Sequence, residues 1–147
     1  KEMMAAAVEG ARSVGKRMPK IIAVTILTSI DASVMNDEVG IPGTVEDEVL
    51  KLALLTKEAG LDGVVCSAAD LSAIKSSLPE DFLFVTPGIK GPKVSGGADQ
   101  KRVFTPGNAI EDGSSILVVG RAITGPATAT ERVQAGLDVL QDMASRL

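Results

Sequence analysis

Ile116-Leu117-Val118-Val119-Gly120-Arg121 is a run of four apolar residues that ends in a glycine and a permanent cation. A run this short and this apolar suits a strand buried on both faces, as in a parallel sheet covered by helices. The flanking residues agree. Upstream, Thr105 and Pro106 supply an N-cap and a first-turn proline, and Gly113 closes that helix just before the strand. Downstream, residues 130–147 read as a final helix, with Val133, Leu137, Leu140 and Met143 as its apolar stripe.

The same unit recurs toward the N-terminus. Residues 21–27 (IIAVTIL), 63–66 (GVVC) and 82–85 (FLFV) are three more runs of strand length and composition. Residues 1–17 are rich in helix formers, with Pro19 beyond their end. Asp31 is placed to cap a short helix ending near Glu38. Thr44, with Asp47 three residues later, starts a helix whose Val45, Val49, Leu52 and Ala53 share one face, and Gly60 stands at its C′ position. Residues 69–77 form a shorter helix stopped by Pro79, and residues 87–102 are a long loop rich in glycine and proline.

The resulting order, α-βα-βα-βα-βα, implies parallel strands joined by right-handed helical crossovers. An open doubly wound sheet and part of a (β/α)8 barrel share that pattern. A complete barrel takes about 250 residues. These 147 residues hold four βα units, half of one, and residues 1–147 are expected to be half of a single barrel domain. The chain opens on Lys1 inside a helix, and a piece of a longer or split polypeptide is the expectation.

Composition narrows the function. With 45% apolar residues, disorder is not expected. Three Phe, no Trp or Tyr, and a net charge of −4 argue against nucleic-acid binding, which draws on aromatic platforms and basic faces. No apolar stretch approaches membrane-spanning length, and no signal peptide is visible. A lone Cys66 cannot form an internal disulfide, which fits a reducing cytosol. The absence of histidine removes Cys–His and Ser–His nucleophiles and histidine metal sites from this chain.

In both architectures ligands bind beyond the C-terminal ends of the strands. Those ends carry Thr28-Ser29, Cys66-Ser67, Pro87-Gly88-Ile89-Lys90 and Gly120-Arg121. Glycine lets a backbone N–H approach an anion, and arginine offers a planar fork matched to phosphate. The pair reads equally as a structural glycine and a surface arginine. Asp99-Gln100-Lys101-Arg102, after a Gly-Gly pair, reads as the end of a lid over an anionic ligand or as a solvated loop. Thr28 and Ser29 offer hydroxyls to a heterocycle or to a helix cap. Cys66 reads as a buried, inert thiol.

Several of these strings, in this order, resemble the bacterial orotidine 5′-monophosphate decarboxylases. Ala23-Val24-Thr25-Ile26-Leu27-Thr28-Ser29 resembles their fifth strand, and Gly60-Leu61-Asp62-Gly63-Val64-Val65-Cys66-Ser67 their sixth. Phe84-Val85-Thr86-Pro87-Gly88-Ile89, followed by Gly97-Ala98-Asp99-Gln100-Lys101-Arg102, resembles the seventh. Leu117-Val118-Val119-Gly120-Arg121-Ala122-Ile123-Thr124 resembles the eighth, and Met3-Met4-Ala5-Ala6 the helix after the fourth.

The resemblance implies an α/β fold, a (β/α)8 TIM barrel of which this chain supplies strands 5–8 and their helices. It implies a cytoplasmic, homodimeric enzyme of pyrimidine biosynthesis that converts orotidine 5′-monophosphate (OMP) to UMP and CO2 without metal or organic cofactor. Thr28 and Ser29 would contact the nucleotide near the pyrimidine, and Pro87 would line the ring pocket. Gln100, Gly120 and Arg121 would bind the 5′-phosphate. Lys90 stands where most bacterial members have arginine, keeping the charge but not the bidentate fork. The family's Asp-x-Lys-x-x-Asp motif lies on its third strand, upstream of Lys1, and no such motif occurs here. No catalytic residue is therefore assigned within this chain, and an N-terminal half of the barrel is its expected partner. Two alternatives stand beside this reading: an isolated, inactive half-barrel acting as an assembly scaffold, and a sister decarboxylase or epimerase of the same superfamily.

Overall fold

The computed structural model describes residues 1–15, 17–92 and 104–146. Its order is α1 (Glu2–Ser13), β1 (Ile22–Val24), a π-helical turn (Val34–Glu38), α2 (Val45–Glu58), β2 (Gly63–Val65), α3 (Leu71–Ile74), β3 (Leu83–Thr86), α4 (Pro106–Asp112), β4 (Ile116–Leu117), α5 (Arg121–Thr124) and α6 (Ala129–Ala144). Short 3-10 turns, Ala68–Asp70 and Lys75–Ser77, flank α3.

Local chemistry sets the helix ends. Thr44 accepts the Asp47 N–H, and Gly60 turns left-handed at φ 82° after Ala59. Thr105 accepts the Asn108 N–H, and Gly113 ends α4 at φ 111°. Asp31 Oδ1 accepts the Val34 N–H at 2.9 Å, the cap expected there. Helix α1 stops at Ser13, short of the expected 17, because Gly15 takes φ 66° well before Pro19.

The four strands form one parallel sheet in the order β1-β2-β3-β4. Four parallel βα units in sequential order are the half-barrel form of the (β/α)8 fold. The sheet has two faces, read from its register. Val64, Phe84 and Leu117 face the helices and pack with Met35, Val49, Ala53, Leu71 and Ile74 in the core. Val24, Val65, Val85 and Ile116 pair across the other face. That second face is as apolar as the first, yet Val24 and Ile116, on the two edge strands, are 59% and 46% exposed. Parallel strands carry apolar residues on both sides when both are to be covered.

Most of the expected stripe of α6 is turned outward, with Met143 half-buried. Val133, Leu137 and Leu140 are exposed, and the buried residue is Val139. Asp142 explains the rotation. Its Oδ2 accepts the Gly107 N–H at the start of α4 at 2.7 Å, and a Cβ at Gly107 would stand 2.7 Å from the Asp142 carbonyl oxygen. The α4–α6 contact is thus backbone-close and directed by a carboxylate, which fixes which side of α6 faces inward.

Candidate functional site

Beyond the C-terminal ends of β3 and β4 lies a cleft of about 660 Å³, open to solvent and within the size range of small-molecule sites. One wall is the segment that leaves β3, from Pro87 to Gly91. The other is Val118, Gly120, Arg121 and Ala122, where the chain passes from β4 into α5. Pro87, Lys90, Gly120 and Arg121, four of the residues singled out from the sequence, therefore share one cavity.

Each wall is shaped by backbone features. Gly88 sits at φ 78°, a conformation that a side chain resists, and it lets the chain bend away from β3. Ile89 turns into the core, 5% exposed, and the Lys90 N–H donates to the Phe104 carbonyl at 3.1 Å, tying the wall back to the start of α4. Gly120 is different. Its φ is −99°, and a Cβ built on it meets no protein atom within 4 Å. The missing side chain therefore leaves this stretch of backbone open to close approach by a ligand. Arg121 follows on the exposed rim; its carbonyl accepts the Gly125 N–H at 2.8 Å, and its guanidinium makes no hydrogen bond or ion pair to the described residues. A guanidinium beside an open glycine, with an ammonium on the facing wall, is an arrangement that accepts an oxyanion.

The other singled-out positions lie elsewhere. Thr28 and Ser29 are exposed in the turn after β1, where the Ile30 N–H donates to the Leu27 carbonyl at 2.9 Å. Strands β2 and β3 separate that edge of the sheet from β4, and neither residue lines the cleft. Gln100 and the lid reading for the end of the 87–102 loop lie outside the described residues. Gly91, Val118 and Ala122 line the cleft without having been singled out. Val118 was legible in principle, because alternation along 116–119 puts it on the face opposite Leu117.

Cys66 is inert by environment. It is 1% exposed, and burial, with a smaller contribution from the Asp70 charge, pushes its thiol up to about 12. Asp70 itself is buried and accepts the Ser67 N–H at 3.1 Å, a helix-start contact. Among the described residues no group of three or more His, Cys, Asp or Glu side chains is placed to hold a metal ion. No helix among them is long and apolar enough to cross a membrane.

Residues 1–135 match the family model described as Orotidine 5'-phosphate decarboxylase / HUMPS family. The orotidine 5'-phosphate decarboxylase of Heliobacterium modesticaldum is 42% identical over 151 residues, covering 100% of this chain and 60% of the relative. That of Rhodospirillum rubrum is 49% identical over 137 residues, covering 90% and 53%. The crystal structure of orotidine 5'-phosphate decarboxylase from Lactobacillus acidophilus superimposes with a TM-score of 0.76 at 35% identity, covering 96% of this chain and 58% of that one. The chain thus spans little more than half the length of the relatives that it matches.

Proposed function

From the premise that the chain belongs to the orotidine 5'-phosphate decarboxylase / HUMPS family, we propose that it is the C-terminal, phosphate- and pyrimidine-binding half of an OMP decarboxylase barrel. The observation that carries this reading is the convergence of Pro87 and Lys90 with Gly120 and Arg121 on one open cleft. In the proposed complex Gly120 and Arg121 hold the 5′-phosphate, with Gln100 closing over it and Lys90 adding charge. Pro87 lines the pyrimidine pocket. Thr28 and Ser29 reach the nucleotide from the opposite edge once the ring of strands is closed.

Closure needs a partner. The exposed apolar residues Val24, Ile116 and Val118 and the two open sheet edges support docking of an N-terminal half that carries the remaining strands. Residues 1–147 are then half of one domain rather than a domain of their own. The finished enzyme is a cytoplasmic homodimer of pyrimidine biosynthesis.

In the reaction the bond from the pyrimidine ring to the carboxylate breaks, CO2 leaves, and the electron pair left on the ring carbon takes a proton. The residues that handle that proton belong to the N-terminal half. This chain's contribution is positional. Gripping a phosphate remote from the breaking bond supplies binding energy that orients the reacting carbon.

Complementation tests the reading. The purified chain alone should leave OMP unchanged. Mixing it with a separately produced N-terminal half of a matching decarboxylase should yield UMP and CO2. A mixture that forms a folded complex and still fails to decarboxylate OMP would sink the assignment.

A further inference from the structure

Behind the cleft, a pair of hydroxyls is buried between β3 and β4. The Thr86 hydroxyl donates to Ser114 Oγ at 2.8 Å, with Thr86 0% and Ser114 6% exposed. Neither residue lines the cleft, but Thr86 adjoins Pro87, which does, and Ser114 stands just before the strand that leads to the other wall. Thr86 is the last residue of β3, immediately before Pro87, and Ser114 lies between the left-handed Gly113 and the first residues of β4.

The β3–β4 ladder is short. Only Val85↔Ile116 and Thr86↔Leu117 pair across it, against three pairs in each of the other two ladders. A slip of one residue would reverse which face of the sheet each β4 side chain occupies. It would carry Val118 out of the cleft wall and displace Gly120 and Arg121 with it. Further hydrogen bonds flank the two rungs. Ser115 Oγ accepts the Phe84 N–H at 3.0 Å, the Ser115 N–H donates to the Phe84 carbonyl at 2.9 Å, and the Val118 N–H donates to the Thr86 carbonyl at 2.9 Å. Among these the Thr86–Ser114 bond is the one made between two buried side chains. A slip that brought Gly113 opposite Thr86 would strand the Thr86 hydroxyl away from water, and one that brought Ser115 there would take Ser115 Oγ from the Phe84 N–H, so the observed register is the one that satisfies all of these groups.

We propose that Thr86 and Ser114 are positioning residues that set β4 against β3 and so hold Gly120 and Arg121 opposite Pro87 and Lys90 for a phosphate-bearing ligand. The ligand part rests on the nucleotide reading above; the register part does not.

The test uses the full chain, with UMP as the probe. T86V/S114A removes both hydroxyls without leaving either one unpaired, and T86S keeps the bond. Amide hydrogen exchange is followed at Val118, which bonds across β3–β4, and at Thr25, whose N–H donates to the Val65 carbonyl across β1–β2 at 3.1 Å. UMP affinity is measured by calorimetry. In T86V/S114A, Val118 exchange should accelerate at least tenfold more than Thr25 exchange. UMP affinity should fall about tenfold. T86S should match the wild type in both. Equal acceleration at both amides, or none at Val118, would overturn the proposal. So would selective opening at Val118 with UMP affinity unchanged. If the wild-type chain bound no UMP, the phosphate reading would fail, and the exchange comparison would still decide the register claim.

Discussion

Asp62 holds Ile21 from two directions: its Oδ2 accepts the Ile21 N–H at 2.8 Å, and its own N–H donates to the Ile21 carbonyl at 2.8 Å. Its other carboxylate oxygen takes Lys20 Nζ at 2.7 Å, and its carbonyl accepts the Leu83 N–H at 2.9 Å. One residue thereby joins the starts of β1, β2 and β3. The Lys20 hydrogen bond first, and then the Ile21 N–H, hold this carboxyl below its usual value of 3.8. A depressed carboxyl contributes stability that is complete above its unfolded value and is lost as pH falls through its folded one. Thermal midpoints measured from pH 7 down to pH 2 should therefore drop below about pH 4 more steeply in the wild type than in D62N. At pH 7, D62N should cost about 1.5 kcal/mol, the low end for a hydrogen bond to a charged group, because the carboxylate keeps some contact with solvent. Parallel pH curves for the two proteins would show that the contact contributes nothing.

Gly63 begins β2 where a side chain has no room. A Cβ there would press into the Leu83 carbonyl oxygen and stand 2.6 Å from Leu83 Cβ, atoms of the neighbouring strand that cannot rotate away. G63A should destabilise the chain by about 1–3 kcal/mol, the usual range for overpacking, read as a lower urea midpoint. An unchanged midpoint would mean that the β2–β3 spacing is looser than described.

Arg121 should dominate recognition of the phosphate. R121A is expected to weaken UMP binding by roughly 10- to 100-fold, the loss of charge-assisted hydrogen bonds. R121K should fall between, since it keeps the charge and loses the fork. The thermal midpoint without UMP should stay within a degree or two, because the side chain makes no bond to the described residues. UMP affinity equal to wild type in R121A would remove the residue from the site.

Helix α6 offers a direct comparison of two apolar positions. V139A should cost about 1–3 kcal/mol by leaving a cavity, while L137A should stay within roughly 0.5 kcal/mol in the isolated chain. Denaturant titrations that ranked them the other way would mean that the helix is rotated from the orientation Asp142 imposes.

Cys66 should be silent to thiol reagents. With its thiol raised to about 12 and its side chain buried, reaction with iodoacetamide at pH 8 should be negligible in the native chain and prompt in urea. Rapid native labelling would show that the end of β2 opens readily.

Much of this molecule is local, and the local part is legible in the sequence. Thr44 with Gly60, and Thr105 with Pro106 and Gly113, bound their helices as read, because caps and turns are decided by residues a few positions apart. The apolar runs at 63–66, 82–85 and 116–119 announced parallel strands, because such strands are apolar on both sides wherever they sit. The order of the elements followed from these two facts. Tertiary structure decided what depends on partners distant in sequence. It set the β3–β4 register, which brings Pro87 and Lys90 to face Gly120 and Arg121. It left Thr28 and Ser29 at the far edge of the sheet. It buried Val139 and exposed Leu137, a choice made by Asp142 reaching across to Gly107. Periodicity shows that a helix has an apolar side, but which side is covered depends on the surface it meets, and that surface is assembled only when the chain folds.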